Sequence, residues 1–295
     1  MARARGFAAG RFAFELDGAV AGWLQSASGG EAEGDVVQEK VGADHVVRKH
    51  LGGIRYSDVV LQAGAGMEKP FYDWLAASLA HTYQRKDGAV LSVDQNLKEV
   101  SRLAFFNALI GEITFPTLDA AAKEAASLTV TIAPEYARTI KGSGAKLGPA
   151  KASAQKKWLP SNFRLQIDGV DCKKVNRIEA LTIKQKVVES PVGELRDYEK
   201  EPASLDVGDL VVTVAESGAA DFVAWHDDFV VKGNSGAAAE KTGKLELLTP
   251  DLKSALFTLD FAGLGIFRLQ REDGGGDSPS RLRASIYCEE LTFTA

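Results

Sequence analysis

Apolar and polar residues alternate along two widely separated stretches of the chain. In FAFELDG (12–18) and FRLQIDG (163–169), every second residue is apolar, and each stretch ends in Asp-Gly. A period of two predicts a β-strand with one buried face, and Asp-Gly predicts a tight turn. Because the two stretches lie 151 positions apart, they suggest that one fold is encoded twice.

The same spacing of 151 recurs further along the chain. It relates Phe71 to Phe222 and Trp74 to Trp225, and the chain has only four tryptophans. A chance match is therefore hard to accept, and we predict two divergent copies. The predicted parts are a first domain at 1–137, a basic Gly/Ala/Lys linker at 138–161 and a second, diverged domain at 162–295.

Short strands separated by frequent turns fill both copies, a pattern typical of a sandwich or barrel. One amphipathic helix interrupts the strands in each copy, and Pro70 suits the first turn of the first helix. The predicted fold is mainly β, with two tandem small antiparallel β-barrel or sandwich domains, each with one flanking α-helix. The residues expected to anchor these helices in the core are Phe71, Trp74, Phe222 and Trp225.

Composition and charge narrow the function classes. A net charge of −5 over 295 residues argues against a general nucleic-acid binder. No uncharged apolar run approaches the roughly 20 residues of a membrane span, so no span is predicted. Arg11 and Glu15 interrupt the apolar core that a signal peptide requires, and we expect the chain to be made in the cytoplasm without one. Two cysteines, Cys172 and Cys288, are too few for a disulfide scaffold.

The segment RTIKGSGAKLGPAKASAQKKWLP has six basic residues and no acidic one. This composition is typical of a solvated tether or of an extended arm that docks on an acidic neighbouring surface. The pattern leaves both interpretations open.

Candidate chemistry is sparse. The four histidines lack the spacing of a zinc helix, and His226-Asp227-Asp228 is more typical of a solvated face than of a cation site. The stretch KGSGAKLG lacks the ending of a phosphate-binding loop, and REDGGGDSPSR lacks calcium-ligand spacing. We therefore predict no enzyme, no cofactor and no metal site.

Several short motifs follow one another in the first copy: a Gly shortly before a Tyr, a strand ending in Leu-x-x-Gly, a helix with Trp, and an Asn-Ala strand. The residues that form them are Gly53, Tyr56, Leu61, Gly64, Trp74, Asn107 and Ala108. In this order and spacing they resemble the tail tube protein family of contractile phages and phage-tail-like injection particles, which is akin to the haemolysin-coregulated protein of type VI secretion. The second copy keeps the strand–helix layout but loses the Gly–Tyr hairpin and the Asn-Ala pair.

The resemblance implies a structural, self-assembling subunit of an inner tube, or an adaptor at the tube end or baseplate hub. Such barrels form rings by sheet-edge pairing, and the rings stack into a hollow conduit. The expected partners are further copies of the chain and surrounding sheath, tube, baseplate and spike proteins. DNA or protein cargo is expected to pass the lumen without specific contacts. The implied location is a virion tail or a tail-like particle.

By the same analogy, a hairpin near residues 45–60 reaches the next ring. The residues assigned to this inter-ring hairpin are Arg48, Lys49, His50, Arg55 and Tyr56. Its basic side chains are expected to meet an acidic rim on the neighbour. The doubled chain leaves two ring compositions open, three doubled chains or six chains.

The alternative to a tube component is a tandem β-sandwich module that binds carbohydrate or protein. Such a module would carry exposed aromatic residues outside the helices. Only Trp23 and Trp158 are tryptophans available for that role.

Overall fold

A computed structural model of the chain describes residues 11–40, 42, 45–148, 158–190, 197–272 and 280–295. Within these residues the chain is mainly β, as predicted, with eighteen strands and two α-helices. The elements of the first half are β1 (Arg11–Leu16), β2 (Ala19–Ser28), β3 (Ala32–Glu39), β4 (Arg48–Tyr56), β5 (Val59–Ala63), α1 (Lys69–Leu79), β6 (Lys86–Val93), β7 (Glu99–Phe115), β8 (Leu118–Asp119), β9 (Leu128–Ala133) and β10 (Tyr136–Lys141). Those of the second half are β11 (Phe163–Ile167), β12 (Val175–Ile178), β13 (Leu181–Ser190), β14 (Glu199–Val207), β15 (Leu210–Ala215), α2 (Ala220–His226), β16 (Lys241–Leu248), β17 (Ala255–Glu272) and β18 (Arg281–Thr294).

Six strands of the first copy close into an antiparallel barrel in the order β1, β2, β5, β9, β7 and β6. The alternating residues of β1 explain one wall, because Phe14 and Leu16 are buried on its inner face. Phe14 stacks on Phe105 of β7 and meets Phe71 of α1 edge-on, with ring centroids 5.8 Å apart in both pairs. The helix thus packs its apolar face onto the barrel.

The second copy is a curled half-barrel. Its sheet has the order β11, β16, β17, β18, β15, β12 and β8, and β8 belongs to the first half of the sequence. The predicted pair of barrels is therefore one closed barrel and one open one. The second remains open because β12, the counterpart of β2, pairs with β15 and β8, whereas β11 pairs only with β16 among the described strands.

The spacing of 151 holds for whole elements. Residues 48–56 of β4 correspond to residues 199–207 of β14, and β3 and β13 both precede these strands as the first arm of a hairpin. The second copy therefore retains the hairpin, which corrects the expectation that it is lost. The second hairpin lacks only the Gly–Tyr motif. Strand pairing depends on side chains that alternate between the two faces and does not require a glycine and a tyrosine at these positions.

The β13–β14 hairpin pairs with the barrel of the first copy. Leu181 and Ile183 of β13 lie opposite Phe115 and Ile113 of β7, so the hairpin extends the sheet of the first copy. One hydrophobic core spans both halves of the chain. For example, the ring centroids of Tyr72 in α1 and Phe257 in β17 are 5.2 Å apart.

Both helices bury the aromatic residues that were expected to anchor them. Phe71 and Trp74 of α1 and Phe222 and Trp225 of α2 are all buried. Pro70 lies in the first turn of α1, where a missing N–H costs no helical hydrogen bond. A π-helical turn at Asp227–Val231 continues α2.

Part of the predicted linker has regular structure, since β10 pairs with β7. Residues 149–157 lie outside the described residues, and the domain boundaries at 137 and 162 stay a prediction. No helix in the described part of the chain is long and apolar enough to cross a membrane.

Candidate assembly interface

The β3–β4 hairpin forms a separate two-stranded sheet beside the barrel. Its outer part exposes apolar side chains, with 56% of Val36 and 67% of Leu51 accessible to solvent. These two residues lie opposite each other in the hairpin register. An exposed apolar patch on a strand pair is typical of a surface that contacts another chain.

The basic residues predicted for this hairpin lie on β4 and face an acidic strand of their own chain. Glu39 of β3 lies opposite Arg48, and Glu33 lies opposite Arg55. His50 Nε2 is 4.0 Å from Glu39 Oε1. Opposite charges on neighbouring strands stabilise the pair. The hairpin is therefore not a uniformly basic surface, since β3 supplies acidic side chains along its other arm.

Arg55 connects the first hairpin to the second. Its Nε lies 3.4 Å from Asp35 Oδ2 and 3.3 Å from Glu189 Oε2. Its guanidinium carbon lies 5.3 Å from the centroid of the Tyr198 ring, which is cation–π distance. Arg55 thus serves a contact within the chain.

The contact between the hairpins requires a glycine. Ile54 bridges Asp197 in parallel, and the Tyr198 hydroxyl donates to Asp35 Oδ2 at 3.2 Å. A Cβ atom on Gly53 would lie 2.4 Å from the Tyr198 hydroxyl oxygen, closer than real Cβ contacts. This close approach explains in physical terms why a glycine stands in the Gly–Tyr motif.

Tyr56, the last residue assigned to the predicted hairpin surface, is buried at the base of β4. Its hydroxyl accepts a hydrogen bond from the Arg138 guanidinium, and this bond raises the pKa of Arg138. Arg138 also lies 5.4 Å from the centroid of the Tyr56 ring. Tyr56 therefore fastens the hairpin to β10 and is not part of its outer surface.

The second hairpin shows how such a hairpin docks on a barrel. Thr182 and Lys184 of β13 lie opposite Thr114 and Glu112 of β7. The two threonine hydroxyls are 3.0 Å apart, and Lys184 Nζ is 3.5 Å from Glu112 Oε2. Main-chain pairing, a hydroxyl contact and an ion pair together hold the docked strand.

Lys200 is a buried charged residue at the contact between the hairpins and the barrel that sequence reasoning missed. Its side chain is only 5% exposed, and its Nζ lies 3.5 Å from Asp58 Oδ1 and 3.7 Å from Glu189 Oε1. Its backbone N–H donates a hydrogen bond to Glu135 Oε1, and its backbone carbonyl accepts one from the Arg85 guanidinium. A single lysine within a charged strand carries no pattern that marks burial, so no sequence signal points to it.

The residues considered for other chemistry have structural partners. Asp227 Oδ2 is 2.7 Å from Lys232 Nζ, and Asp228 Oδ1 accepts a hydrogen bond from Asn234 at 2.8 Å. The described residues contain no group of three or more His, Cys, Asp or Glu side chains placed to hold a metal ion. Burial raises the pKa of both Cys172 and Cys288 to about 11.

The first copy matches the model of one known protein family. Residues 8–138 match the model of the family described as T4-like virus tail tube protein gp19. The match covers the closed barrel and the β3–β4 hairpin, somewhat under half of the 295 residues. The resemblance predicted from the sequence is confirmed over these residues.

Several solved structures are similar to about half of this chain. The tube-terminating cap of the anti-feeding prophage is 19% identical and has a TM-score of 0.42; the match covers 48% of this chain and 95% of that one. The sheath/tube terminator of the PVC extracellular contractile injection system is 18% identical, with 47% and 99% covered and a TM-score of 0.41. Hcp1 from Flavobacterium johnsoniae is 14% identical, with 44% and 93% covered and a TM-score of 0.28. No match was found among curated proteins.

Proposed function

We propose that the chain is a structural, self-assembling component of the inner tube of a contractile phage tail or a phage-tail-like injection system. Its position is in the tube body, at the tube end, or at the baseplate hub. The observation that carries this proposal is the match of residues 8–138 to the tail tube family, on a barrel from which a hairpin with exposed apolar residues extends.

Sheet edges are the physical basis of the proposed assembly. An unpaired edge is a template for pairing with another chain, and rotation about an axis closes such contacts into a ring. The second hairpin supports this mechanism, because it already adds two strands to the barrel of the first copy. In a stack of such rings, the subunits would enclose a conduit for DNA or protein cargo.

The proposed partners are further copies of this chain together with sheath, tube, and baseplate or spike proteins. The proposed location is the tail or tail-like particle. The proposed role is structural and needs no catalytic residue or cofactor.

The alternative of a carbohydrate- or protein-binding module gains no support from the two tryptophans available for it. Trp158 is buried, and its ring centroid is 5.5 Å from that of Phe257. Trp23 is half-buried and packs against a small cluster of Ala13, Ala89 and Leu91.

Negative-stain electron microscopy of the purified chain at low and high concentration tests the proposal. Six-lobed rings or tubes that increase with concentration are expected. Class averages with threefold symmetry would indicate three doubled chains, and sixfold symmetry would indicate six chains. Isolated particles of single-chain size at every concentration, with or without added tube and baseplate partners, would overturn the proposal.

A further inference from the structure

One strand edge of the second copy matches the edge that the β13–β14 hairpin covers in the first copy. In the first copy, β6 pairs with β7 only up to Ala108, and β13 takes over at residues 112–115. In the second copy, β16 pairs with β17 only up to Leu264. Beyond that point, β17 pairs with β18 alone among the described residues, so its other edge is open at 265–272.

The bulges of the two sheets fix which residues correspond. Ile110 pairs with Ile132 and Ile266 pairs with Ile286, and a register shift follows directly in both strands. The opposite edges of β7 and β17 agree with this alignment. Lys86 of β6 pairs with Ala108, Lys241 of β16 pairs with Leu264, and each pair lies beside a bulge. The corresponding pairs along the edge are Glu112 with Arg268, Ile113 with Leu269, Thr114 with Gln270 and Phe115 with Arg271.

The strand that corresponds to β13 is β3. With the repeat spacing of 151 residues, Ile183 corresponds to Ala32 and Lys184 corresponds to Glu33. Among the described residues, β3 pairs with β4 only. The described residues therefore include one docked hairpin, one undocked hairpin, one covered edge and one open edge.

We propose that the open edge of β17 binds the β3 strand of a second copy of this chain. The strands run antiparallel, with Ala32 opposite Leu269 and Glu33 opposite Arg268. The inference rests on the proposed function, because it names the contact by which the chain assembles. It goes further by assigning the two strands and their register.

Charge complementarity supports this register. In the docked hairpin, Lys184 lies between Glu112 of β7 and Asp206 of β14. In the proposed contact, Glu33 would lie between Arg268 of the other chain and its own Arg55.

The signs of all three charges are thus reversed while the attraction is kept. Like charges directly opposite each other destabilise strand pairing, so a change in only one of the three charges would weaken the contact. Glu33 and Arg268 are both exposed, and neither has an ion-pair partner in the part of the chain that the structure describes.

The contact is head-to-tail, because β3 and β17 are different surfaces of the molecule. Such contacts form a ring when the rotation closes. The docked β13 provides the same contact inside the chain, so each chain supplies two successive positions of the ring. A ring of six barrel positions, which the family resemblance implies, then contains three chains.

Disulfide cross-linking tests the register. The double variant Glu33→Cys/Arg268→Cys replaces two exposed residues, which leaves the core unchanged. Paired Cα atoms in a sheet lie within the distance that a disulfide spans. Oxidation of assembled protein should give covalent dimers and larger species that reducing agent reverses. The matched control is Gln38→Cys/Arg268→Cys, which places the β3 cysteine five residues further along the strand.

A charge exchange provides a second test without cysteines. Glu33→Arg and Arg268→Glu should each raise the concentration for half-maximal assembly about tenfold, since each places like charges opposite one another. The double variant Glu33→Arg/Arg268→Glu should assemble at a lower concentration than Glu33→Arg alone, because the exchanged pair attracts again although the new arginine still faces Arg55 in its own hairpin. Glu124→Arg, the same charge change at an exposed residue of a different segment, should leave assembly unchanged.

The outcomes separate the inference from the proposed function. Rings that form without the Glu33–Arg268 cross-link and without rescue by the exchange would overturn the inference and leave the proposed function standing. A cross-link within one chain would also overturn it. Wild-type chains that form neither rings nor cross-links, even with tube and baseplate partners, would overturn both.

Discussion

Lys184 and Glu112 lie directly opposite each other on β13 and β7, and Lys184 Nζ is 3.5 Å from Glu112 Oε2. The two residues come from different copies of the repeat, so this ion pair marks where the second copy is attached to the first. Both side chains are partly exposed, so the surrounding water screens their attraction.

Reversing this charge should loosen the docked hairpin. Lys184→Glu is expected to lower the free energy of unfolding by about 1 kcal/mol, because like charges would face each other across the two strands. Urea unfolding monitored by tryptophan fluorescence measures the change. Lys123→Glu, at an exposed loop residue, is the matched control and should change stability by less than about 0.5 kcal/mol. Equal effects of the two variants would contradict the prediction.

A side chain at Gly53 should separate the two hairpins. Gly53→Val is expected to cost about 1–3 kcal/mol, because its Cβ would meet the Tyr198 ring and hydroxyl. Tyr198→Ala removes the ring that this side chain would meet. Gly53→Val should therefore destabilise the Tyr198→Ala protein less than it destabilises the wild type. Thermal unfolding of the four proteins in this cycle measures the coupling.

Gly64 provides the control for that cycle. The nearest heavy atom to a Cβ at Gly64 is Gln25 Nε2 at 3.9 Å, so Gly64→Ala meets no steric obstacle. If Gly64→Ala destabilised the protein as much as Gly53→Val, loss of backbone freedom and not the Tyr198 contact would explain the effect.

The two helix tryptophans should respond differently to the same substitution. Trp74 Nε1 donates to the Gln84 carbonyl at 2.8 Å, whereas Trp225 Nε1 is buried without a hydrogen-bond partner among the described residues. Trp74→Phe should therefore cost about 1–3 kcal/mol more than the packing loss alone, because the carbonyl loses its donor. Trp225→Phe removes an unsatisfied N–H, although it also weakens the cation–π contact with Lys241.

Chemical denaturation of Trp74→Phe and Trp225→Phe gives the comparison directly. The larger destabilisation is expected for Trp74→Phe. The reverse order would mean that Trp225 Nε1 has a partner in solution, such as an ordered water molecule.

Much of the architecture could be predicted because the relevant signals are local. Alternation in residues 12–16 and 163–167 predicts strands, and the aromatic spacing in 71–75 predicts a buried helix face. The repeat adds long-range information, since Trp74 and Trp225 occupy corresponding helices 151 positions apart.

The docking of β13 on β7 could not be predicted in the same way. Residues of β3 and β13 alternate similarly, and a strand's own sequence does not determine which of several open edges it joins. Tyr56 shows the same limit, because a tyrosine at a strand end fits an exposed surface as well as the buried contact it makes with Arg138. The burial of Lys200 likewise depends on carboxylates that are distant in sequence.

Alkaline pH should destabilise the folded chain in part through the buried thiol of Cys288. Burial raises the pKa of Cys288 to about 11, above the value near 9 of a solvated thiol. The folded state therefore favours the protonated thiol. This contribution to stability is fully present below about pH 9 and is lost as the pH rises toward 11.

Urea unfolding at intervals from pH 8 to 11 measures the effect. The free energy of unfolding of the wild-type protein should fall over this range. Cys288→Ala should fall less steeply, because it removes one of the groups whose pKa differs between the two states. Burial also raises the pKa of Cys172 to about 11 and the pKa values of Tyr72 and Tyr287 to about 12. These three groups are present in both proteins, so their contributions cancel in the difference between the two pH profiles. Parallel pH profiles for wild type and Cys288→Ala would mean that the Cys288 thiol ionises in the folded chain as readily as in the unfolded one.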